Sequence, residues 1–538
     1  MNMKKLSLLL LLCVSLNGMS QISKTTQDIT KLDGKYKIRY NERYFDVDTT
    51  TVTVKLKDLK ASYNIEYKVL RQNKLGFVDI QKPTDMSLEK FVESLSKNEM
   101  VESVIYSSYG EYGDFIPNDS ALNSQWHLPA INAYKAWDIT TGSSNIIVAI
   151  LDSGTDWMHS DLGLGSDTYQ NIYLNQGEDI WTNPNNPTTG NGIDDDNNGY
   201  IDDWKGWNFA TNTNDSRGTY YHGTFVAGIV SAKTNNNHGI AGVAGGKNGG
   251  GVKLLPYCVG LSAPISSVID DAIIAAVDNG AKIIQFSLSV SYSNDIETAI
   301  QYAINNNVVI ICSSGNDYSS SVSYPSSNVN VISVGATDSN NNRASFSNYG
   351  NNLDVVAPGV DIYSTTLNNT YDTSSGTSFA APIVSGIAAL IWSVNPNLTG
   401  QQVRNIIEST CNKNIPNFTI TQTRPNGTWN DRLGYGLVNA YAAVQAACAT
   451  MPSTINFNGT VTTPITVTSD TTIVSCGDIN VQYVTVTNGA TLTLKAAGNI
   501  NIQDMIVINN STLILDALGE VTLIRNFEVE LGSELDIR

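Results

Sequence analysis

Histidine is scarce in this chain, with four among 538 residues. Cations are scarce too, with 32 Lys and Arg against 50 Asp and Glu and a net charge of −18. Phosphate binding needs a basic surface, so that deficit excludes nucleic acid as the expected partner. The acidity reads as solubility. Cysteine numbers six, and Cys13 lies in the N-terminal apolar run. The other five, Cys258, Cys312, Cys411, Cys448 and Cys476, are odd in number and cannot all pair. Cys258 and Cys312 fall in apolar strand segments and are expected as buried thiols. In an oxidising compartment, Cys448 can pair with either Cys411 or Cys476. The N-terminal run is too short to span a bilayer, and no later stretch is expected to be apolar and long enough to do so. That run, Leu6 to Leu16, follows Lys4 and Lys5 and ends in the small residues Gly18 and Ser20, the pattern of a secretory signal peptide.

What is present concentrates in three short segments. Gly376-Thr377-Ser378-Phe379-Ala380-Ala381-Pro382 leads into an apolar run, Ile383 to Trp392, expected as a buried helix with Pro382 in its first turn. Ser378 then sits at a helix mouth, where free N–H groups and the dipole favour a developing oxyanion. On its own such a serine is more often an N-cap. Ile146 to Leu151 reads as a strand buried on both faces, with Asp152 at its carboxyl end. His222 opens a second small-residue, apolar helix. Serine is a weak nucleophile that needs a base near neutral pKa, and that base needs an anion to fix its tautomer. Asp152, His222 and Ser378 supply those three parts.

The motifs LDSGT around Asp152, HGTFVAG around His222 and GTSFAAP around Ser378 resemble those of the subtilases, the subtilisin-like serine proteases. A fourth motif, Ser313-Ser314-Gly315-Asn316, follows the strand expected over Val308 to Cys312. The resemblance runs from about Gln125 to Ala447 and implies a serine endopeptidase. In that reading Ser378 attacks, His222 moves the proton, Asp152 orients His222, and Asn316 donates its amide to the oxyanion. Two positions depart from the family pattern. Tyr221 stands where Ser often precedes the histidine. Ser287-Leu288-Ser289 replaces Ser-Leu-Gly in the substrate-binding strand and puts a side chain beside the passing peptide. The chain lacks a Gly-x-Ser-x-Gly elbow at Ser378, which speaks against a lipase or esterase. A catalytically silent binding protein on the same scaffold is the alternative, and the four intact positions speak against it.

From Trp126 to Ala447 short β-rich runs (Val252 to Val259, Lys282 to Leu288, Val329 to Val334, Leu353 to Ala357) alternate with helical runs (Val268 to Asn279, Asp295 to Asn306). The expected fold is α/β, a subtilisin-like parallel sheet with helices on both faces. Its site should lie at the carboxyl ends of the strands. The expected organisation is a signal peptide over 1–20, an α+β propeptide over 21–116, the peptidase over 117–449 and a small all-β repeat module over 450–538. By resemblance the propeptide assists folding and blocks the site, and processing is expected near Tyr112 to Ser120. In the module, Gly489, Asn510 and Gly532 mark echoes at offsets of 21 and 22 residues, which suggests stacked β-coils or a small sandwich. Surface attachment and simple stabilisation are both open for it. The chain is expected to be secreted, with protein or peptide substrates and its own propeptide as partners.

One loop suggests a metal. Asp194, Asp196, Asn198, the Tyr200 carbonyl and Asp202 fall at alternate positions around Gly199, and Asp203 could close the shell. The twelfth position is Lys205 rather than Glu, so this is not an EF-hand. Five carboxylates within ten residues repel one another without a cation. Calcium is expected; zinc is not, because the loop holds neither Cys nor His.

Overall fold

The computed structural model describes residues 29–538, apart from 33–34, 41–42, 58–66, 73–76, 109–114, 164–170, 248–249, 497, 518–519 and 538. The expected signal peptide lies outside the described residues, as do 112–114 of the expected processing loop. The chain divides into two units, Met1–Gly113 and Asp114–Arg538.

In the first unit the strand Arg43–Leu56 pairs antiparallel with Phe77–Gln81 and Val101–Ser108. The alternating Val52, Val54 and Leu56 face a helix, Leu88–Lys97, which presents Leu88, Phe91, Val92 and Leu95 to the same core. Ser87 caps that helix by accepting from Lys90 N. A further strand, Val69–Gln72, pairs antiparallel with Phe77–Gln81.

The second unit is built on a seven-stranded sheet in which every pair is parallel. In spatial order its strands are Val355–Pro358, Ile332–Thr337, Val309–Ser313, Ile283–Phe286, Ile147–Asp152, Lys253–Cys258 and Trp207–Asn208. Both faces are covered, so the strands are mostly apolar, and successive side chains serve opposite cores. Val148 and Ile150 join the core beneath the helices His222–Ser231, Thr377–Val394 and Ala440–Cys448. Ala149 and Leu151 join the core beneath Ile269–Asp278 and Asn294–Asn305. From Ile147–Asp152 the chain first builds outward to Lys253–Cys258, then returns to lay Ile283–Phe286 on the other side. The crevice outside those two carboxyl ends is therefore a topological switch point, where α/β sheets bind ligands.

The helix Thr377–Val394 runs through the middle of the larger core. Ile383, Val384, Ile387, Leu390, Ile391 and Trp392 are each at most 1% exposed, contributing roughly 1.5–3 kcal/mol apiece for the aliphatic side chains. It is the one described helix long and apolar enough to cross a membrane, and 94% of it is buried inside the protein. The helix begins at Thr377, so Pro382 lies in its second turn and not, as the sequence suggested, its first.

The C-terminal region folds as stacked parallel coils. Thr471–Ser475, Thr491–Ala496, Thr512–Ala517 and Glu534–Ile537 form one sheet; Thr454–Asn458, Ile465–Val467, Asp478–Val486, Ile500–Val507 and Val521–Val529 form the other. Leu492, Leu513 and Leu535 stack in register, as do Leu494, Leu515 and Ile537, which is the structural meaning of the 21- and 22-residue offsets. Asn456, Asn480 and Asn501 form a hydrogen-bonded ladder at 2.9 and 3.0 Å. Cys448 pairs with Cys476, joining the last helix of the α/β region to the first coils. Cys258, Cys312 and Cys411 are free and buried.

Candidate active site

Asp152 ends its strand at the switch point and is 6% exposed. One oxygen accepts from Ser153 N at 2.7 Å. The carboxylate faces His222 Nδ1, at 2.8 Å for Oδ1 and 3.0 Å for Oδ2. A carboxylate only accepts, so Nδ1 carries the proton and Nε2 keeps its lone pair. Burial lowers the His222 pKa, but the charge and hydrogen bond of Asp152 together raise it above its ordinary value of 6.5.

The strand end and the His222 helix meet backbone to backbone. A Cβ on Gly223 would stand 2.2 Å from Gly154 O, and one on Gly218 would stand 1.5 Å from Ser153 O. Ser153 bridges the two elements. Its hydroxyl accepts from Gly223 N at 3.0 Å and donates to Tyr220 O at 3.2 Å. It thus serves a free amide at a helix start whose own cap residue, Tyr221, makes no side-chain cap.

Ser378 is half-buried in the first turn of its helix. Its hydroxyl donates to Ser287 O at 3.4 Å. Phe379, the next residue, packs on His222 with ring centroids 5.4 Å apart, which brings the two helix starts together. Asn316 reaches the same place from the loop after Val309–Ser313. Its Oδ1 accepts from Thr377 N and Thr377 Oγ1, both at 2.9 Å. Both partners are donors there, so the amide nitrogen must point the other way and is available as a donor. Thr377 Oγ1 in turn accepts from Gly315 N at 3.2 Å. The four segments found in the sequence therefore converge. Ser153 and Thr377, which hold His222 and Asn316 in place, were missed as functional residues. Both lay inside quoted motifs, but only the folded geometry shows what their hydroxyls reach.

A cleft of about 210 Å³ opens beside this cluster, lined by Asp152, Tyr220, His222, Val259, Leu288 and Ser289, among others. The Tyr220 ring is 42% exposed and lies nearly parallel to His222, at 12° and 6.3 Å between centroids. Ser289, where the family pattern has glycine, lines the cleft floor with Leu288.

The acidic loop is organised differently. Ligand oxygens of Asp194 and Asp196 lie within 4.8 Å of each other and of Glu178, a residue sixteen positions upstream that the loop pattern could not include. Glu178 is 6% exposed, and its Oε2 is buried with no hydrogen-bond partner. Burial, reinforced by the charges of Asp203 and Asp196, pushes its carboxyl up to about 7. Burial likewise raises Asp203 to about 6. Asn198 donates to Asp196 and Asp203 at 3.2 Å each, and Asp203 also accepts from Asn175. One Asp202 oxygen accepts from Gly192 N at 3.0 Å, and its Oδ1 is buried with no hydrogen-bond partner. The Tyr200 ring packs on Trp207 and Phe209. An all-oxygen donor set with an orphaned buried carboxylate fits a hard divalent cation.

The subtilase family matches residues 143–436. The chain is 37% identical over 361 residues to the thermophilic serine proteinase of Bacillus sp. (strain AK1), covering 66% of this chain and 76% of that protein. It is 35% identical over 333 residues to thermitase of Thermoactinomyces vulgaris, covering 62% and 100%. To the extracellular protease of Xanthomonas campestris pv. campestris it is 35% identical over 352 residues, covering 62% and 57%.

Proposed function

The chain belongs to the subtilase family and is a serine-type endopeptidase; from that premise we propose that Ser378 is its nucleophile, His222 its general base and acid, Asp152 the residue that orients His222, and Asn316 with Ser378 N–H its oxyanion donors. The carrying observation is the Asp152–His222 pair, held at 2.8 Å beside the first turn of the Ser378 helix. Ser378 Oγ attacks the scissile carbonyl and passes its proton to His222 Nε2, which returns it to the leaving amine. The oxyanion draws hydrogen bonds from Asn316 Nδ2 and the helix-mouth amide as charge develops. The substrate is a polypeptide laid along Ser287-Leu288-Ser289. Tyr220 and Ser289 bound the cleft, so small or slender side chains are favoured there.

The enzyme is secreted as a proenzyme, with residues 21–116 as the propeptide. The leader pattern and one relative named an extracellular protease support secretion. Calcium is held by Glu178, Asp194 and Asp196, with Asn198 and Asp203 around them. It supplies positive charge that lets buried carboxylates ionise together. The C-terminal coils act as a stabilising extension, a reading supported by the Cys448–Cys476 bond and by Met451 and Cys476 packing on the α/β core.

Ser378→Ala is the test. Peptide hydrolysis and release of the propeptide should be lost together, and hydrolysis at the wild-type rate would refute the assignment.

A further inference from the structure

Pro382 cannot donate the amide hydrogen bond that residue i+4 normally gives to the carbonyl of residue i. The carbonyl it deprives is that of Ser378. Into that place comes the hydroxyl of Ser287, which donates to Ser378 O at 2.6 Å. Ser287 follows the strand Ile283–Phe286 and is 6% exposed. Its hydroxyl accepts from Gln285 Nε2 at 2.9 Å. Gln285 is 0% exposed, in a strand whose other three residues, Ile283, Ile284 and Phe286, are aliphatic or aromatic. Its Oε1 accepts from the hydroxyl of Ser385, two turns along the Ser378 helix. Ser385 is also 0% exposed. An uncharged amide in such a strand costs stability unless every group is served. Here the glutamine oxygen and one N–H are both matched.

The donors all run one way, from Ser385 to Gln285 to Ser287 to the Ser378 carbonyl. Each bond polarises the next where the groups are buried. Both ends of the chain rest on the same helix, and its middle rests on the central sheet. The relay therefore fixes the first turn of that helix against the strand end at the switch point.

We propose that Ser287, Gln285 and Ser385 form a positioning relay that replaces the backbone donor removed at Pro382 and sets the height and tilt of Ser378 at the cleft. The proposal rests on Ser378 being the nucleophile. None of the three relay side chains touches the reacting atoms. The relay acts on where Oγ stands relative to His222 and the oxyanion donors, so its loss should appear in kcat and leave KM near its starting value.

The experiment compares Ser287→Thr, which keeps the hydroxyl, with its isostere Ser287→Val, in the full chain, by kcat and KM on a peptide substrate and by fluorophosphonate labelling of Ser378. Ser287→Thr should exceed Ser287→Val at least tenfold in kcat at similar KM. Adding Pro382→Ala to Ser287→Val restores a backbone N–H to the orphaned carbonyl and should recover most of that loss. Gln285→Met should fall between the two Ser287 variants. Equal kcat for the Thr and Val variants would overturn the relay, as would a double variant no better than Ser287→Val. If the wild-type protein hydrolyses peptide but is not labelled at Ser378, the nucleophile assignment fails instead, and the relay falls with it.

Discussion

The crevice and the acidic loop both gather polar groups that are costly to bury, and they settle that cost in opposite ways. At the crevice each group is matched within the protein: Asp152 with Ser153 N and His222, Ser153 with Gly223 and Tyr220, Asn316 Oδ1 with Thr377. On the proposed reading the charge that matters there develops only during reaction, and the Asn316 amide nitrogen, turned away from Thr377, is kept for it with the Ser378 N–H. At the loop the carboxylates of Glu178, Asp194 and Asp196 crowd together, and Glu178 Oε2 has no partner. An active site stores its unmet need in donors for a transient anion, whereas a cation site stores it in acceptors. The pKa shifts record that difference. His222 is raised by a partner against the effect of burial, and Glu178 is raised by burial and by its neighbours' charge.

The comparison breaks most sharply at Asp152. Asp152→Asn replaces a pure acceptor with a group that can donate to Nδ1. The proton then moves to Nε2, which loses its power as a base. The kcat should fall on the order of 10⁴-fold with the melting temperature little changed. A loss of less than tenfold would separate the pair from the chemistry. Asn316→Ala removes the spare donor, and kcat should fall roughly 10²–10³-fold at similar KM. A rise in KM alone would mean that Asn316 binds the ground state and not the oxyanion.

At the loop the effect is on stability. Chelation should lower the melting temperature by several degrees and speed autolysis, since a cation held at 100 times its Kd contributes about 2.7 kcal/mol. Glu178→Gln should blunt that response more than Asp202→Asn, because Asp202 lies outside the carboxylates that converge with Glu178. Equal effects would return Asp202 to the ligand set. The pH dependence sharpens the contrast further. In chelator, the raised Glu178 carboxyl favours the folded state while protonated. That contribution is whole below the ordinary value of 4.5 and is lost as pH rises toward about 7. Calcium should reverse the trend by favouring the ionised form. The smallest effect belongs to His222. Peptidase activity should rise with pH along an acid limb whose midpoint lies above 6.5, because the base must be neutral to act. A midpoint below 6.5 would mean that Asp152 does not outweigh burial.

Asp152, His222 and Ser378 were legible in the sequence because each is announced locally, whereas Asn316 came from the resemblance to the subtilases alone. Asp152 ends a run of aliphatic residues, His222 and Ser378 open apolar helices, and glycines mark where backbones must touch. The coil stack was legible because its period is written in residue spacing. Other features were not. Glu178 joins the acidic loop only through the fold, from outside the alternating pattern. Asp202 fits that pattern, yet it is not among the carboxylates that converge with Glu178, and its backbone takes a left-handed conformation, φ +56°. Pro382 was misplaced because the helix was measured from its apolar run, while the first turn is built from Thr377, Ser378 and Phe379. Small and polar residues start this helix, and hydrophobicity alone does not see them. The choice between Cys411 and Cys476 as the partner of Cys448 likewise depends on distance in space, which composition does not encode.

The central claim is that the crevice makes one serine a nucleophile. It is tested most directly by reaction of the native protein with a fluorophosphonate, followed by peptide mapping. One adduct is expected, on Ser378, forming along the same acid limb as peptidase activity and absent after Asp152→Asn. An adduct on another serine, or none from a preparation that hydrolyses peptide, would contradict it.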